Sequence, residues 1–338
     1  MNTQFWKTRY TWSPLPDDPI PGYTLLLPVP GDLPVFLKMA LDVCSRQDLE
    51  HLADALVVPD HTTPQFEDRV ADWTGSCAIR SLRLVKLQPQ DRLFVEKLNH
   101  PHLNYWLQLT RGVMATRTTH AVLHDADLVM TNPSFLKTHY ESCLGRQLAC
   151  LGVSPVWDPW FRQRGINHVV ATWEMIFELS WWRSFEPWQH MGHDDTLNGE
   201  QHEFDITLWP QCKTAPERIG LRSEEKGFIH FNYVISAYRW FQQSTSSVED
   251  QYFRLLLIRL LIDAYDAAGW RYELPELGDM IRGLTDPTNR VTYTDAATPQ
   301  HYAPFRSKIR RLLESGLLDA HAVSVIKDGL APFDRAFK

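Results

Sequence analysis

The sequence predicts an α/β protein whose central sheet is parallel. Residues 23–29 form a continuous apolar run, which suits a strand buried on both faces of a sheet. A helical pattern follows, and a second buried strand comes at residues 55–58. This strand–helix order repeats through residue 125. Such repetition predicts parallel strands joined by right-handed crossovers.

Each element is predicted from the spacing of its apolar residues and from its end signals. The predicted strands are residues 23–29, 55–58, 79–87, 119–125 and 149–153. The first predicted helix has Asp32 as its N-cap and extends to Val43. The other predicted helices are residues 66–73, 104–116, 134–144, 252–267 and 305–318. Residues 157–209 are predicted to be irregular and substrate-facing, 228–238 to close that part of the chain, and 284–304 to be a loop.

A polar break at residues 243–248 (QSTSSV) predicts two regions, an α/β domain over 20–245 and a C-terminal helical extension over 246–338. The helix at 252–267 is apolar nearly all round. Such a helix is buried either inside its own chain or in a dimer interface, so a homo-oligomer through the C-terminal helices stays open.

Composition excludes several classes of protein. The net charge of −7 argues against a nucleic-acid-binding surface, which usually carries a basic excess. The five cysteines are scattered and odd in number, so we expect no disulfide framework and a reducing, cytoplasmic location. No signal peptide is expected, and the most apolar run, residues 255–262, is too short to span a bilayer.

The most informative motif is HDADLVMTNPSFL, which begins at His124. Side chains alternate along an extended segment, so Asp125 and Asp127 point the same way at the end of a buried strand. Two such carboxylates repel each other unless a cation lies beside them. We therefore predict a divalent metal site at the carboxyl edge of the sheet. The alternative is that both carboxylates cap the following helix or pair with arginines.

In order and spacing, these motifs resemble the GT-A-type nucleotide-sugar glycosyltransferases, most closely the large inverting family 2. The resemblance covers roughly residues 20–245 and rests on LLLPVP with Pro28, on LVVPDHTTP with Asp60, and on the D-x-D segment. It implies a GT-A-like, Rossmann-type mixed sheet flanked by helices. It also implies that Pro28 lies at the donor-binding edge and that Asp60 contacts the nucleobase.

The function implied is the metal-dependent transfer of a sugar from a nucleoside-diphosphate sugar, with UDP favoured and inversion expected, to a small-molecule or glycan acceptor. Mn²⁺ or Mg²⁺ would stabilise the charge that develops on the diphosphate leaving group. Asp127 is the predicted direct ligand, and Asp125 is expected to bind ribose hydroxyls or to bind the metal through water. The resemblance adds His230 as a distant ligand, although a histidine among aromatic residues is equally a core residue.

An inverting transferase needs a carboxylate that takes the proton of the acceptor hydroxyl. The predicted loop at residues 191–199 (MGHDDTLNG) resembles the acidic acceptor-site loop of β-1,4-galactosyltransferase-like enzymes. Asp194 is the first choice for this base and Asp195 the second, while Glu174 and Asp205 are rivals. The alternative is that Asp194 and Asp195 belong to a solvated turn.

Three further patterns have both a functional and a structural interpretation. Arg111 could reach a phosphate or be an exposed surface residue. His190, His193 and His202 suggest a zinc cluster only weakly, because they lack a helix frame or cysteine partners. The tryptophans of the middle stretch could line a sugar groove, but core packing is the more common role of such rings.

Two other functions are compatible with the pattern. One is a sugar-binding or scaffold protein of the same fold without catalysis. The other is a sugar-phosphate nucleotidyltransferase, which usually needs a glycine-rich loop after the first strand. The segment PVPGDLPVF contains a single glycine there, which counts against the nucleotidyltransferase.

Overall fold

The computed structural model describes residues 3–222, 227–243, 251–266, 270, 272–283 and 298–337. These residues form two compact units. The first comprises the described parts of 1–31, 44–126 and 132–227, and the second those of 32–43, 127–131 and 228–338. The predicted boundary at residue 245 lies outside the described residues and stays a prediction.

Strands and helices follow one another along the described chain. The strands are β1 (Ile20–Val29), β2 (Leu52–Pro59), β3 (Leu82–Leu84), β4 (Thr118–Leu123), β5 (Leu128–Met130), β6 (Cys150–Gly152), β7 (Met175–Glu178), β8 (His193–Leu197), β9 (Glu200–Phe204), β10 (Ile219–Leu221) and β11 (Phe228–His230). The helices are α1 (Thr3–Arg9), α2 (Pro34–Cys44), α3 (Pro64–Ser76), α4 (Pro89–Leu98), α5 (Pro101–Ala115), α6 (Phe135–Gly145), α7 (Pro159–Gln163), α8 (Leu179–Arg183), α9 (Leu208–Cys212), α10 (Val234–Gln242), α11 (Gln251–Tyr265), α12 (Leu277–Gly283), α13 (Pro299–Glu314) and α14 (Ala320–Ala336).

Within the described residues, the first unit contains a seven-stranded sheet in the order β10-β6-β7-β4-β1-β2-β3. β1 pairs in parallel with β2 and β4, as β2 does with β3 and β6 with β10. β7 lies between β4 and β6 and runs antiparallel to both. The predicted α/β class with a mixed sheet is therefore confirmed, whereas the purely parallel order holds only as far as β4.

The centre of this sheet is β1, which is buried over its last eight residues. A strand covered on both faces has no solvent side, and this explains its continuous apolar run. Helix α5 covers one face closely at Gly112, where a Cβ atom would lie 3.3 Å from a methyl carbon of Leu26. The apolar pattern at residues 23–29 thus marks the middle of the sheet.

The prediction that residues 157–209 are irregular is wrong, because three strands (β7, β8 and β9), the short helices α7 and α8 and the start of α9 lie there. β7 enters the main sheet, and β8 and β9 form an antiparallel hairpin over the predicted loop at 191–199. The hairpin turns at Asn198-Gly199, which have φ values of 54° and 86°. An Asn-Gly pair is a strong signal for a two-residue hairpin turn, so this local signal was in the sequence.

The second unit contains the two-stranded sheet β5–β11 and the described helices α10 to α14. α11 is buried along almost its whole length and contacts α10, α12, α13 and α14, so its apolar surface is covered by its own chain. α13 begins at Pro299, so the predicted loop is wrong for residues 299–304, and residues 284–297 lie outside the described part. Among the described helices, none combines the length and the hydrophobicity that a bilayer crossing requires.

Two buried histidines predict how the stability of the first unit depends on pH. Burial lowers the pKa of His139 and of His190 from 6.5 to about 3. Below pH 6.5 the unfolded chain therefore binds protons that the folded chain excludes, and the free energy of unfolding falls by up to ~1.4 kcal/mol per pH unit for each histidine. This loss continues down to about pH 3. Urea unfolding at pH 7 and pH 5 measures it, and His139→Gln should shrink the difference; an unchanged difference in that variant contradicts the prediction.

Candidate functional site

Four sequence-predicted residues come to one edge of the main sheet in the first unit. β1, β2 and β4 are parallel, so their carboxyl ends meet, and Asp60 and Asp125 lie just beyond the ends of β2 and β4. Pro28 lies within β1, paired with Val58 and buried. Because β7 is antiparallel to β4, the residue before it, Glu174, reaches the same edge.

Asp60 closes the turn that follows β1. Its side chain is buried, its Oδ1 accepts a hydrogen bond from the Gly31 N–H at 2.9 Å, and the Nδ1 of His61 lies 2.8 Å from the same oxygen. The turn has no room for a side chain at Gly31, where a Cβ atom would lie 1.9 Å from the carbonyl oxygen of His61. The aspartate therefore holds a tight turn at the donor-binding edge implied by the resemblance.

Asp125 is half-buried, and helix α5 fixes its orientation. The hydroxyl of Tyr105 donates a hydrogen bond to its Oδ1 at 2.6 Å. Sequence reasoning did not identify Tyr105, because nothing in the spacing of α5 distinguishes this ring from a core aromatic residue. Tyr105 thus determines where one carboxylate of the D-x-D motif points.

Asp127 directly precedes β5 and belongs to the second unit. β5 pairs with β11 in a register that sets Leu128 opposite His230, and the Phe231 N–H donates to the Asp127 carbonyl at 3.2 Å. This register brings the Nε2 of His230 to 3.1 Å from the Oδ1 of Asp127. The Val234 N–H, at the start of α10, donates to the other carboxylate oxygen at 3.1 Å. The structure therefore brings together two residues that are distant in sequence.

The ionisation of Asp127 reflects these contacts. Burial by itself would raise its pKa, but the charge and hydrogen bond of His230, the Val234 N–H and the charge of Arg254 together lower the pKa below the ordinary 3.8. A buried carboxylate that stays ionised is suited to bind a cation.

The side chains of Asp127 and His230, both in the second unit, are suitable ligands for a divalent metal. Asp125, in the first unit, is only two positions before Asp127 in the sequence. Carboxylate oxygens suit Mg²⁺ and Mn²⁺, and imidazole extends the set to other transition metals.

Arg254, on α11, lies close enough to Asp127 within the second unit for its charge to lower the pKa of that aspartate. Its Nη1 donates to the Phe231 carbonyl at 3.1 Å, and its guanidinium lies 5.6 Å from the centre of the Tyr233 ring. Asn232 and Tyr233 both adopt left-handed backbone conformations, with φ of 58° and 53°. Sequence reasoning missed Arg254, because the apolar pattern of α11 predicted only a buried helix.

Glu174 is fully buried, which does not suit the rival base that the sequence suggested. Its Oε2 lies 2.6 Å from the Nδ1 of His124, which is also fully buried. A base has to reach the hydroxyl of an acceptor, and an enclosed carboxylate cannot do so. Its burial therefore counts against Glu174 as the base.

Asp194 and Asp195 lie on β8, in the first unit. Asp194 is exposed and faces Glu203 across the hairpin. Asp195 is half-buried on the opposite side of β8, with an oxygen 3.6 Å from the Nε2 of His193. The rival Asp205 is also half-buried and accepts a hydrogen bond from the Ile206 N–H at 2.7 Å. A hairpin is thus present where a solvated turn was the alternative prediction, and it leaves the Asp194 side chain exposed to solvent.

Arg111 is largely buried, so the prediction of an exposed surface residue is wrong. Its guanidinium binds another side chain of the protein. It forms an ion pair with the fully buried Asp91, with Nε 2.6 Å from Oδ2, and stacks on the ring of Tyr10. Two of its nitrogens donate to this carboxylate. Because a buried carboxylate without a partner is costly, the ion pair of Arg111 with Asp91 stabilises the fold and counts against a phosphate role for Arg111.

The three histidines of the weak zinc pattern have separate partners. His190 contacts the Trp182 carbonyl, His193 the Met191 carbonyl, and His202 the carboxylate of Asp158. They do not form a metal-binding group among the described residues.

Most tryptophans of the middle stretch pack against other residues. Trp181, Trp182 and Trp209 are buried. Trp157, in the same stretch, differs from these three because 63% of its surface is exposed. Core packing therefore explains most of this aromatic composition, as is common for such rings.

Comparisons with known proteins give matches among solved structures. No family profile matches the chain, and no curated protein matches it. The galactosyltransferase LgtC, in complex with donor and acceptor sugar analogues, is 12% identical over 49% of this chain, with a TM-score of 0.39. The chain spans 62% of the length of that LgtC structure.

Two other structures match over most of the chain. The mannosyltransferase PcManGT of Pyrobaculum calidifontis, in complex with GDP-Man and Mn²⁺, is 13% identical over 99% of this chain and 81% of its own, with a TM-score of 0.39. TarS 1-349 of S. aureus is 11% identical over 93% of this chain and 92% of its own, with a TM-score of 0.42. Since these scores lie below 0.5, the functional assignment depends on the site.

Proposed function

We propose that the protein is a metal-dependent glycosyltransferase of GT-A type that takes its sugar from a nucleoside-diphosphate sugar, with UDP favoured. The observation that carries the proposal is the pair of Asp127 and His230 in the second unit, whose facing atoms lie 3.1 Å apart. A buried carboxylate that stays ionised beside an imidazole is suited to hold a cation, and the sequence places a second carboxylate, Asp125, two positions earlier. We further propose direct displacement with inversion at the anomeric carbon, on a small-molecule or glycan acceptor.

Asp127 and His230 would hold the metal directly, because their facing atoms already lie 3.1 Å apart. Asp125, oriented by Tyr105, would bind it through water or accept hydrogen bonds from ribose hydroxyls. The bound Mn²⁺ or Mg²⁺ supplies Lewis-acid stabilisation of the departing diphosphate. The protein's own contribution is to keep these donors fixed before the donor substrate binds.

Arg254 is the proposed counter-charge to the diphosphate. Two carboxylates neutralise a divalent cation, so a diphosphate would leave the site with excess negative charge unless a further cation is close. Arg254 lies near enough to lower the pKa of Asp127, and its contact with Phe231 holds the guanidinium in place. Guanidinium groups suit phosphate oxygens because they donate several hydrogen bonds in one plane.

Asp60 and Asp194 complete the proposal in the first unit. Asp60 would contact the nucleobase from the turn that it closes with Gly31. Asp194 would accept the proton of the acceptor hydroxyl, with Asp195 as second choice. The exposure of Asp194 on β8 suits a group that must meet a substrate.

The Asp60 turn gives a direct test of nucleotide binding. In Gly31→Ala the new Cβ would clash with the His61 carbonyl, so the turn has to move and Asp60 loses its hydrogen bond. We expect about tenfold weaker UDP binding in the presence of Mn²⁺, the cost of one charge-assisted hydrogen bond. Isothermal titration calorimetry measures this change. Gly145→Ala, where a Cβ meets nothing within 4 Å, is the matched control, and equal affinities in the two variants contradict the prediction.

The function itself is tested with a panel of nucleotide sugars, with nucleotide release as the readout. Metal-dependent release from one donor supports the transferase. If calorimetry with Mn²⁺ detects no binding of UDP or GDP, the alternative of a sugar-binding or scaffold protein without catalysis replaces it. Formation of a nucleotide sugar from a nucleoside triphosphate and a sugar phosphate would instead identify a nucleotidyltransferase. The cytoplasmic location and a homo-oligomer remain predictions from the sequence.

A further inference from the structure

The pair His124–Glu174 is the most enclosed set of polar side chains next to the D-x-D motif. Both side chains are fully buried, and their facing atoms lie 2.6 Å apart. The two residues are 50 positions apart in sequence. Burial of two such groups is costly unless each has a partner, and here each group is the partner of the other.

His124 directly precedes Asp125, and hydrogen bonds hold both its backbone and its ring in place. Its backbone N–H donates to the Leu26 carbonyl at 3.0 Å, which ties the end of β4 to β1. Its ring is tied to Glu174, which immediately precedes β7 on the other side of β4. Asp125 is the next residue along the chain. The position from which its carboxylate projects is therefore set by anchors on both neighbouring strands.

The backbone of Glu174 is strained at the position from which the side chain makes this contact. Glu174 has a φ of 50°, a left-handed conformation that glycine or asparagine adopts more easily than glutamate. Asparagine in its place would suit the backbone better, but its side chain is one methylene shorter and would not reach His124. Strain of this kind persists where the surroundings require a particular side chain.

We propose that Glu174 is a positioning residue that acts through His124: it fixes the start of the D-x-D turn and thereby sets the position from which Asp125 presents its carboxylate to a metal. This inference rests on the proposed metal site. It also gives Glu174 a role different from that of a base, because hydrogen bonding to His124 requires an acceptor oxygen and not a carboxylate that takes up a proton from a substrate.

The test is Mn²⁺ affinity of the full chain without any sugar donor, measured by electron paramagnetic resonance. Glu174→Gln keeps an oxygen that can accept from the His124 ring, so its Mn²⁺ affinity should stay within about threefold of the parent protein. In Glu174→Asn the shorter side chain loses the hydrogen bond to His124 while the residue fits the left-handed backbone better. We expect about 10-fold weaker Mn²⁺ binding, the lower end of the effect of removing a group that is hydrogen-bonded directly to a metal ligand. Glu178→Ala, at the other end of β7 and partly exposed, is the matched control and should bind Mn²⁺ normally.

Folding is checked by thermal unfolding of each variant. If a Glu174 variant does not fold, His124→Asn provides the second measurement, since its amide nitrogen replaces the ring Nδ1 as donor and should preserve the affinity, whereas His124→Phe should lower it. A lower melting temperature with unchanged Mn²⁺ affinity in Glu174→Asn means a merely structural pair and overturns the inference. Absence of Mn²⁺ binding in the parent protein overturns the metal site itself and the inference with it, so the two failures are distinguishable.

Discussion

Asp127→Ala is expected to abolish metal-dependent turnover. The substitution removes the oxygen that faces His230 and the one that accepts from the Val234 N–H, so the proposed site loses its central ligand. Mn²⁺ binding should weaken more than about 100-fold, and donor hydrolysis should fall by about 10²- to 10³-fold, since charge on the departing diphosphate is no longer stabilised. Nucleotide release from the preferred donor, with and without Mn²⁺, measures the effect.

Two controls separate this effect from damage to the fold. Asp127→Asn keeps an oxygen that can accept from the Val234 N–H but lowers the charge at the metal, so it should fold normally and still lose metal binding. Asp334→Asn removes a carboxylate of the same unit that pairs with Arg306 and should leave Mn²⁺ binding unchanged. Turnover in a folded Asp127→Ala variant that equals the parent rate would refute the site.

Asp194→Asn is expected to stop sugar transfer while leaving donor binding intact. A carboxylate that takes the acceptor proton contributes about 10²- to 10⁴-fold to the rate, and asparagine cannot accept that proton. Because Asp194 is exposed on β8, the substitution should not affect stability. Transfer to the acceptor and calorimetric binding of UDP with Mn²⁺ measure the two quantities separately.

The other carboxylates of the region serve as matched variants. Asp205→Asn should transfer sugar normally, because its Oδ1 already accepts a backbone hydrogen bond. If Asp195→Asn stops transfer and Asp194→Asn does not, the base is the second choice. If Glu174→Gln alone stops it, both the assignment to the hairpin and the positioning role of Glu174 are wrong.

Much of the fold could be predicted because its signals are local. The continuous apolar run of β1 and the helical spacing of α5 depend on residues close in sequence, and both elements form where they were expected. The hairpin β8–β9 was not predicted although Asn198-Gly199 is a hairpin-turn signal. The acidic residues before this turn were interpreted as a loop at the acceptor site. β7 was missed because four residues are too few for periodicity to distinguish a strand.

Within the site, sequence reasoning named the carboxylates and, through the resemblance, His230, but it missed the other partners of these carboxylates. Asp60 and Asp125 follow strands in the sequence and in the structure. Tyr105, Arg254 and the pairing of His124 with Glu174 came only from the structure. Arg111 had the charge for a phosphate role, but no local signal revealed that Asp91, 20 positions earlier, occupies its guanidinium.

The sequence by itself therefore determined the order of most strands and helices and the position of the acidic motif at the end of a strand. Both features depend on residues that are close together in the sequence. Only the tertiary structure decided which side chains meet that motif. His230 reaches Asp127 across 103 positions through the β5–β11 register, and Glu174 reaches His124 across 50 through the insertion of β7 beside β4. Strand order and register are properties of the whole chain, since they depend on which distant apolar surfaces are buried together.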